Sequence, residues 1–191
     1  RFSQTRARVR FSKRIALSPV DGLPVLALRI GNERRGAIVD VSFRATLVRT
    51  VRTAEGVTMY RSVDLPLVRA HADALSRSWN LMHRVDDASP LRGETPASLA
   101  EAEAEITVIA VGTDETALQT VHARNTWPAR ALAWGARLAD VLSETPDGNL
   151  LLDLRRFDAI EPTAPTPSFP YGAGPGDRSE EHTSELQSPC N

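Results

Sequence analysis

At 191 residues, 41% of them hydrophobic, the chain can build one packed core, which excludes a wholly disordered protein. No run of about 18 apolar residues occurs, so no membrane-spanning helix is expected within it. Cys190 is the only cysteine, which rules out an internal disulfide. The net charge of −1 conceals an asymmetry. Arg1 to Arg14 hold six basic residues (Arg1, Arg6, Arg8, Arg10, Lys13 and Arg14) and no acid, whereas positions 15–177 carry 16 basic residues against 21 acidic ones. A basic stub on an acidic body points to an anionic surface beside the stub, phospholipid or nucleic acid, with a solvated end as the plain alternative. The chain opens on Arg1 instead of Met, so upstream sequence is expected.

From Leu17 onward the pattern is one of short strands broken by turns. Asp21-Gly22 and Pro24 precede an apolar run from Val25 to Ile30. In the next strand Val39, Val41, Phe43, Ala45 and Leu47 alternate with Asp40, Ser42, Arg44 and Thr46, so Asp40 is expected to point away from the core. Glu55-Gly56 reads as a hairpin turn into a strand over Val57 to Val63. Thr95-Pro96 opens the clearest helix, a capping residue followed by proline at the first helical position. Ile106 to Val111 reads as a buried strand. A second short helix is expected from Thr126 and Pro128 through Ala131 to Trp134. Asp147-Gly148 turns the chain into a strand over Leu150 to Phe157. Short strands separated by turn signals predict an antiparallel β-sandwich with short accessory helices.

Past Glu161 the character changes. Positions 162–176 hold five prolines and three glycines, the composition of a disordered tail. The closing "RSEEHTSELQSPCN" resembles a translated sequencing-library adapter, so 177–191 is expected to be non-native and His182 and Cys190 carry no chemistry.

Candidates for catalysis are sparse. His71, His83 and His122 stand at no metal-ligand spacing. His83 lies near Asp86 and Asp87 as a base lies near its orienter, but a structural role in a loop is the simpler expectation. Glu101, Glu103 and Glu105 fan around a helix end as a solvated face. "GAGPG" (Gly172 to Gly176) lacks the strand and helix that a phosphate loop requires, and no nucleophile elbow occurs. No cofactor and no enzymatic activity are expected. Nucleic acid is not expected either, because the stub's aromatics are only Phe2 and Phe11 and the body is acidic.

Several stretches nevertheless share one order: "RFSQTRARVRFSKRIAL" (Arg1 to Leu17), "DGLPVLALRIGNERRGAIVDV" (Asp21 to Val41), "LMHRVDDASPL" (Leu81 to Leu91), "TVHARNTW" (Thr120 to Trp127), "WGARLADVL" (Trp134 to Leu142) and "LDLRRFDAI" (Leu152 to Ile160). In that order and spacing they resemble the cytoplasmic C-terminal domain of inwardly rectifying potassium channels, in the prokaryotic, KirBac-like branch. The resemblance covers nearly all of positions 1–161. It departs from the family at Gln4-Thr5, Trp127, Ala136 and Val111, and the absence of an acid near Val111 argues against a second acidic ring in the pore.

The resemblance implies an immunoglobulin-like β-sandwich of the E-set type over 15–161. Positions 1–14 would then be the basic junction following an inner pore helix. It further implies a homotetramer around an aqueous vestibule for potassium ions on the cytoplasmic face of the membrane, the inner membrane of a bacterium. Arg6, Arg8, Arg34 and Arg35 would meet anionic phospholipids, Asp40 would line the pore where magnesium or polyamines block, and Arg124 would serve a structural or gating ion pair. A soluble sandwich that binds a protein or lipid partner is the alternative from another class.

Overall fold

The computed structural model describes residues 9–33 and 35–163. Arg6, Arg8, Arg34 and the tail from position 164 therefore lie outside the described residues. Among those described, the fold is an all-β sandwich of two sheets.

The first sheet is built on β3 (Leu23–Asn32). β7 (Ser78–Arg84) runs antiparallel along one side of it, and β1 (Val9–Phe11) and β2 (Ile15–Val20) share the other. β10 (Leu132–Trp134) closes the edge, parallel to β2. Asp21 and Gly22 join β2 to β3 with φ of 52° and 78°, the positive pair that a tight two-residue hairpin needs to match strand twist.

The second sheet is built on β4 (Ile38–Arg52). β8 (Glu105–Asp114) pairs along one side with β9 (Thr120–Pro128) beyond it. β5 (Thr58–Asp64) and β6 (His71–Leu75) divide the other side. Val41, Phe43, Ala45, Leu47, Ile106, Val108 and Trp127 face Ile15, Leu17, Leu26, Leu28, Ile30 and Leu81 in one apolar core. α1 (Pro96–Glu101) begins as its sequence predicts: Thr95 caps the Ser98 amide, Ser98 returns the bond, and Leu99 drops into the core.

The second face of the first sheet is also covered. β11 (Ala136–Leu138) pairs with β14 (Ile160–Pro162), and between them the short hairpin of β12 (Leu142–Glu144) and β13 (Leu150–Leu152) extends outward. Arg29, 2% exposed, reaches from β3 into this cover. It donates to Asn80 Oδ1 at 3.1 Å, Ala139 O at 2.7 Å and Phe157 O at 3.0 Å. Burial pulls its pKa down, and Asp140 and Asp158 oppose the shift. Gly31 makes the close approach possible, since a Cβ there would stand 2.8 Å from the Phe157 ring. The N-terminal strand joins the same latch. Arg10 pairs with Asp158 at 2.6 Å and stacks on Phe157, and Trp127 Nε1 donates to Ser12 O at 2.8 Å.

Four sequence expectations need correction. Val39 is only half-buried, and Ile38 takes the core position. The alternation breaks because Val39 pairs with Thr113 but Ser42 with Val111, which leaves one extra residue in β4, a β-bulge. Thr126 and Pro128 end β9 instead of opening a helix, because Thr126 bonds across the sheet to Thr107 at 2.9 Å; only a 3-10 turn, Ala129–Ala131, follows. The strand from Leu150 stops at Leu152, where Asp153 accepts from the Arg155 amide at 3.1 Å and starts another 3-10 turn that buries Phe157. Finally, Ile109 is 39% exposed, so β8 buries one face and not both.

Candidate functional site

That exposed side of β8 belongs to the outer face of the second sheet, which no other element of the described residues roofs. Strand register lays out its rows. His71 stands opposite Ser42, which is followed across the sheet by Val111 and His122. Arg44 is followed by Ile109 and Arg124. The Arg44 guanidinium also bonds Asp64, at 2.9 Å and 3.1 Å.

Asp40 sits at the bulge, at the edge of this face. Its φ of 52° is a left-handed conformation that costs a non-glycine residue energy and that bulges use to re-aim a side chain. The carboxylate is 83% exposed, and its Oδ1 lies 3.3 Å from His71 Nε2. On its other side His71 Nδ1 lies 3.5 Å from Ser42 Oγ. Gly112 makes room for the bulge: a Cβ there would meet Ile38 Cγ2 at 2.8 Å and Val41 Cγ2 and Val39 O at 3.0 Å.

Arg35 is exposed in the turn between β3 and β4, ahead of Asp40. Backbone and side-chain bonds tie this turn to the β8–β9 loop. Glu115 N donates to Ala37 O at 3.0 Å and Ala37 N to Glu115 Oε2 at 3.4 Å, while Asp114 Oδ1 accepts from the Thr116 and Ala117 amides. Arg124 is exposed in mid-β9, and no acid among the described residues stands within ion-pair distance of it. The structure thus brings Arg35 and Asp40 to one end of β4 and leaves Arg124 further along the sheet.

The remaining candidates have structural roles. His83 is buried in β7, not in a loop. Its Nδ1 donates to Pro66 O and its Nε2 accepts from Ser89 Oγ, both at 2.8 Å. Burial lowers its pKa, against the Pro66 bond and Asp86, so the ring is neutral. Glu101, Glu103 and Glu105 are exposed around the end of α1. Among the described residues, no three His, Cys, Asp or Glu side chains gather to hold a metal ion, and no helix is long and apolar enough to cross a membrane.

Three contributors escaped the sequence reading. His71 is brought to Asp40 only by β6 pairing on β4. Gly112 had no local signal beyond being a glycine inside a strand, which marks close backbone approach or a bulge. Arg29 interrupts an apolar run, which is a detectable signature of a buried cation.

The fold and this face describe a β-sandwich scaffold with one sheet sealed on both sides and the other open, polar and unroofed. The family model for the inward rectifier potassium channel C-terminal domain matches residues 9–173, and the chain belongs to that family, one of channel domains and not of enzymes. It is 36% identical over 160 residues to the inward rectifier potassium channel Kirbac3.1 of Paramagnetospirillum magnetotacticum, covering 84% of this chain and 54% of the relative. It is 31% identical over 163 residues to the human inward rectifier potassium channel 4, covering 82% and 36% respectively. With the mouse ATP-sensitive inward rectifier potassium channel 15 the figures are 27% over 158 residues, 80% and 42%. The chain therefore spans about half or less of these relatives' lengths. Among solved structures, the sporulation control protein Spo0M of Bacillus subtilis aligns with a TM-score of 0.35 at 6% identity, over 69% of this chain and 58% of that one, too low to bear on fold or function.

Proposed function

We propose that the domain is the cytoplasmic gating and pore-extension part of an inward-rectifier potassium channel, an E-set immunoglobulin-like sandwich repeated four times around an aqueous vestibule beneath the membrane. Family membership supports the channel context, and the coverage of the relatives leaves room in a complete protein for a membrane-embedded half. One observation carries the reading of the site: at Asp40 the sheet departs from regular pairing and holds a carboxylate out into solvent. A left-handed residue at a bulge, with its side chain aimed into solvent, supports a functional reading.

In a fourfold assembly Asp40 recurs as a ring of carboxylates. Such a ring raises the local potassium concentration and attracts magnesium or polyamine blockers within roughly a Debye length, about 8 Å at physiological salt. Arg34 and Arg35, with Arg6 and Arg8, meet anionic phospholipid, and the turn's bonds to the β8–β9 loop give lipid binding a mechanical route into the sheet. Arg124 pairs with an acid of a neighbouring copy or of the remaining protein. The test is single-channel conductance of a reconstituted channel carrying this domain. Asp40→Asn lowers potassium current, most at low ionic strength; equal conductance in wild type and variant at low salt refutes the pore-facing reading.

A further inference from the structure

We infer that His71 sets the charge that Asp40 presents, so that the carboxylate's pull on cations depends on pH through a residue on a different strand. The inference rests on the pore-facing reading of Asp40. The geometry is a carboxylate oxygen 3.3 Å from an imidazole nitrogen, both side chains more than half exposed, with the far ring nitrogen near the Ser42 hydroxyl. An imidazole ordinarily titrates within the physiological range, whereas a carboxylate there stays charged.

The other charged groups around the pair do not cancel this change. Asp73 lies on β6 between Ala72 and Ala74, the partners of Val41 and Val39, and adds a second acid. Arg44 is engaged by Asp64 of β5. On β8 the nearest residues, Val111 and Thr113, are neutral, and on β9 His122 stands two strands away from His71 in the same row. Arg35 precedes the strand in its own turn. With Asp40 and Asp73 ionised, protonating His71 takes the cluster from −2 to −1 per chain and, over four chains, removes four units of negative charge from the site. For a divalent cation about 8 Å from each cluster in water, screened over one Debye length, that change corresponds to about a tenfold loss of affinity.

The experiment compares magnesium block of the reconstituted channel at physiological ionic strength, where the Debye length is about 8 Å, at pH 8 and pH 5.5. Wild type loses about tenfold in apparent magnesium affinity on acidification. His71→Asn blocks like wild type at pH 8 and keeps that affinity at pH 5.5, while His71→Lys blocks weakly at both. A full acid-induced loss in His71→Asn overturns the inference, as does a His71→Lys channel that blocks like wild type at pH 8. In parallel, the ring 15N resonances of His71 are followed in the 191-residue chain at pH 5.5. They move on Asp40→Asn if the pair exists, and resonances that do not move overturn it. Moved resonances together with a block indifferent to Asp40→Asn at pH 8 retain the pair and refute its place in the pore.

Discussion

The outer face of the first sheet is roofed by positions 136–162 and encloses Arg29 at 2% exposure, whereas that of the second sheet is bare and displays Asp40 at 83%. Both are charged residues on the central strand of a sheet, and what covers each one separates their roles. Arg29 has exchanged water for the carbonyls of Ala139 and Phe157 and the amide of Asn80, so its charge organises the C-terminal segment. Asp40 keeps its hydration, so its charge remains available to whatever passes the face. A buried charge held by dipoles contributes to folding, whereas an exposed charge on a left-handed residue adds little to it and is free for the role proposed above.

The largest expected effect lies on the sealed side. Arg29→Met leaves buried carbonyls without donors and is expected to cost about 3–5 kcal/mol in urea unfolding. Asp40→Asn is expected to change the same quantity by less than about 0.5 kcal/mol. Equal effects at the two positions would end the distinction between the sheets.

Gly112→Ala comes next. A methyl group at that position collides with Ile38, Val39 and Val41, and overpacking of this kind costs about 1–3 kcal/mol. It also presses on the bulge that turns Asp40 outward. The variant is therefore expected to lose stability in unfolding and, in a channel, to lower conductance as Asp40→Asn does. Lost stability with unchanged conductance would separate the bulge from the function.

A smaller effect comes from pH. The folded chain holds His83 neutral, with its pKa lowered by burial, while the unfolded chain takes up a proton near pH 6.5. The unfolded state then binds more protons, so His83's contribution is complete above that value and is lost as pH falls through it, by at most about 1.4 kcal/mol per pH unit. Asp158 adds a second loss at lower pH. Burial raises its pKa, but the Lys13 amide and Arg10 outweigh this and leave it lowered, so its contribution fades only below the ordinary carboxylate range. Melting temperature recorded from pH 8 to pH 5 checks the first step, and His83→Asn should flatten it.

The difference between the two sheets was only half legible in the sequence. Alternation from Val41 to Leu47 disclosed the core face of β4 because a half-buried strand has period two. The same rule misassigned Val39, because a bulge is specified by the partner strand, through Gly112, and not by local pattern. The strand over Ile106 to Val111 was visible, but its exposed side was not, since an apolar run does not say whether anything covers its second face. Asp40 stood out by its type and place. Its partner His71 did not, because the contact exists only once β6 pairs with β4. The 3-10 turn after Leu152 was hidden for a similar reason: Phe157 is drawn inward by the latch with Arg10 and Gly31, both remote in sequence.

The smallest effect on stability, and the last way to sharpen the comparison, concerns the basic turn that leads into β4. Arg35 is exposed and makes no ion pair with another described residue, so Arg35→Gln alone should leave the melting temperature unmoved; the lipid test replaces it together with Arg34. Each basic group close to an anionic membrane surface is nevertheless worth roughly 1 kcal/mol, screened by salt. Losing two per chain should therefore shift the titration of channel activity with anionic phospholipid to higher lipid fractions, and the shift should shrink as ionic strength rises. The turn is joined to the β8–β9 loop by the reciprocal bonds of Ala37 and Glu115, so Glu115→Ala, which removes the side-chain acceptor with both arginines present, should leave lipid binding intact and weaken only the response that follows it. An unchanged lipid titration in the double glutamine variant would remove the turn from the proposed lipid site and leave the pore-facing proposal for Asp40 to be tested by itself.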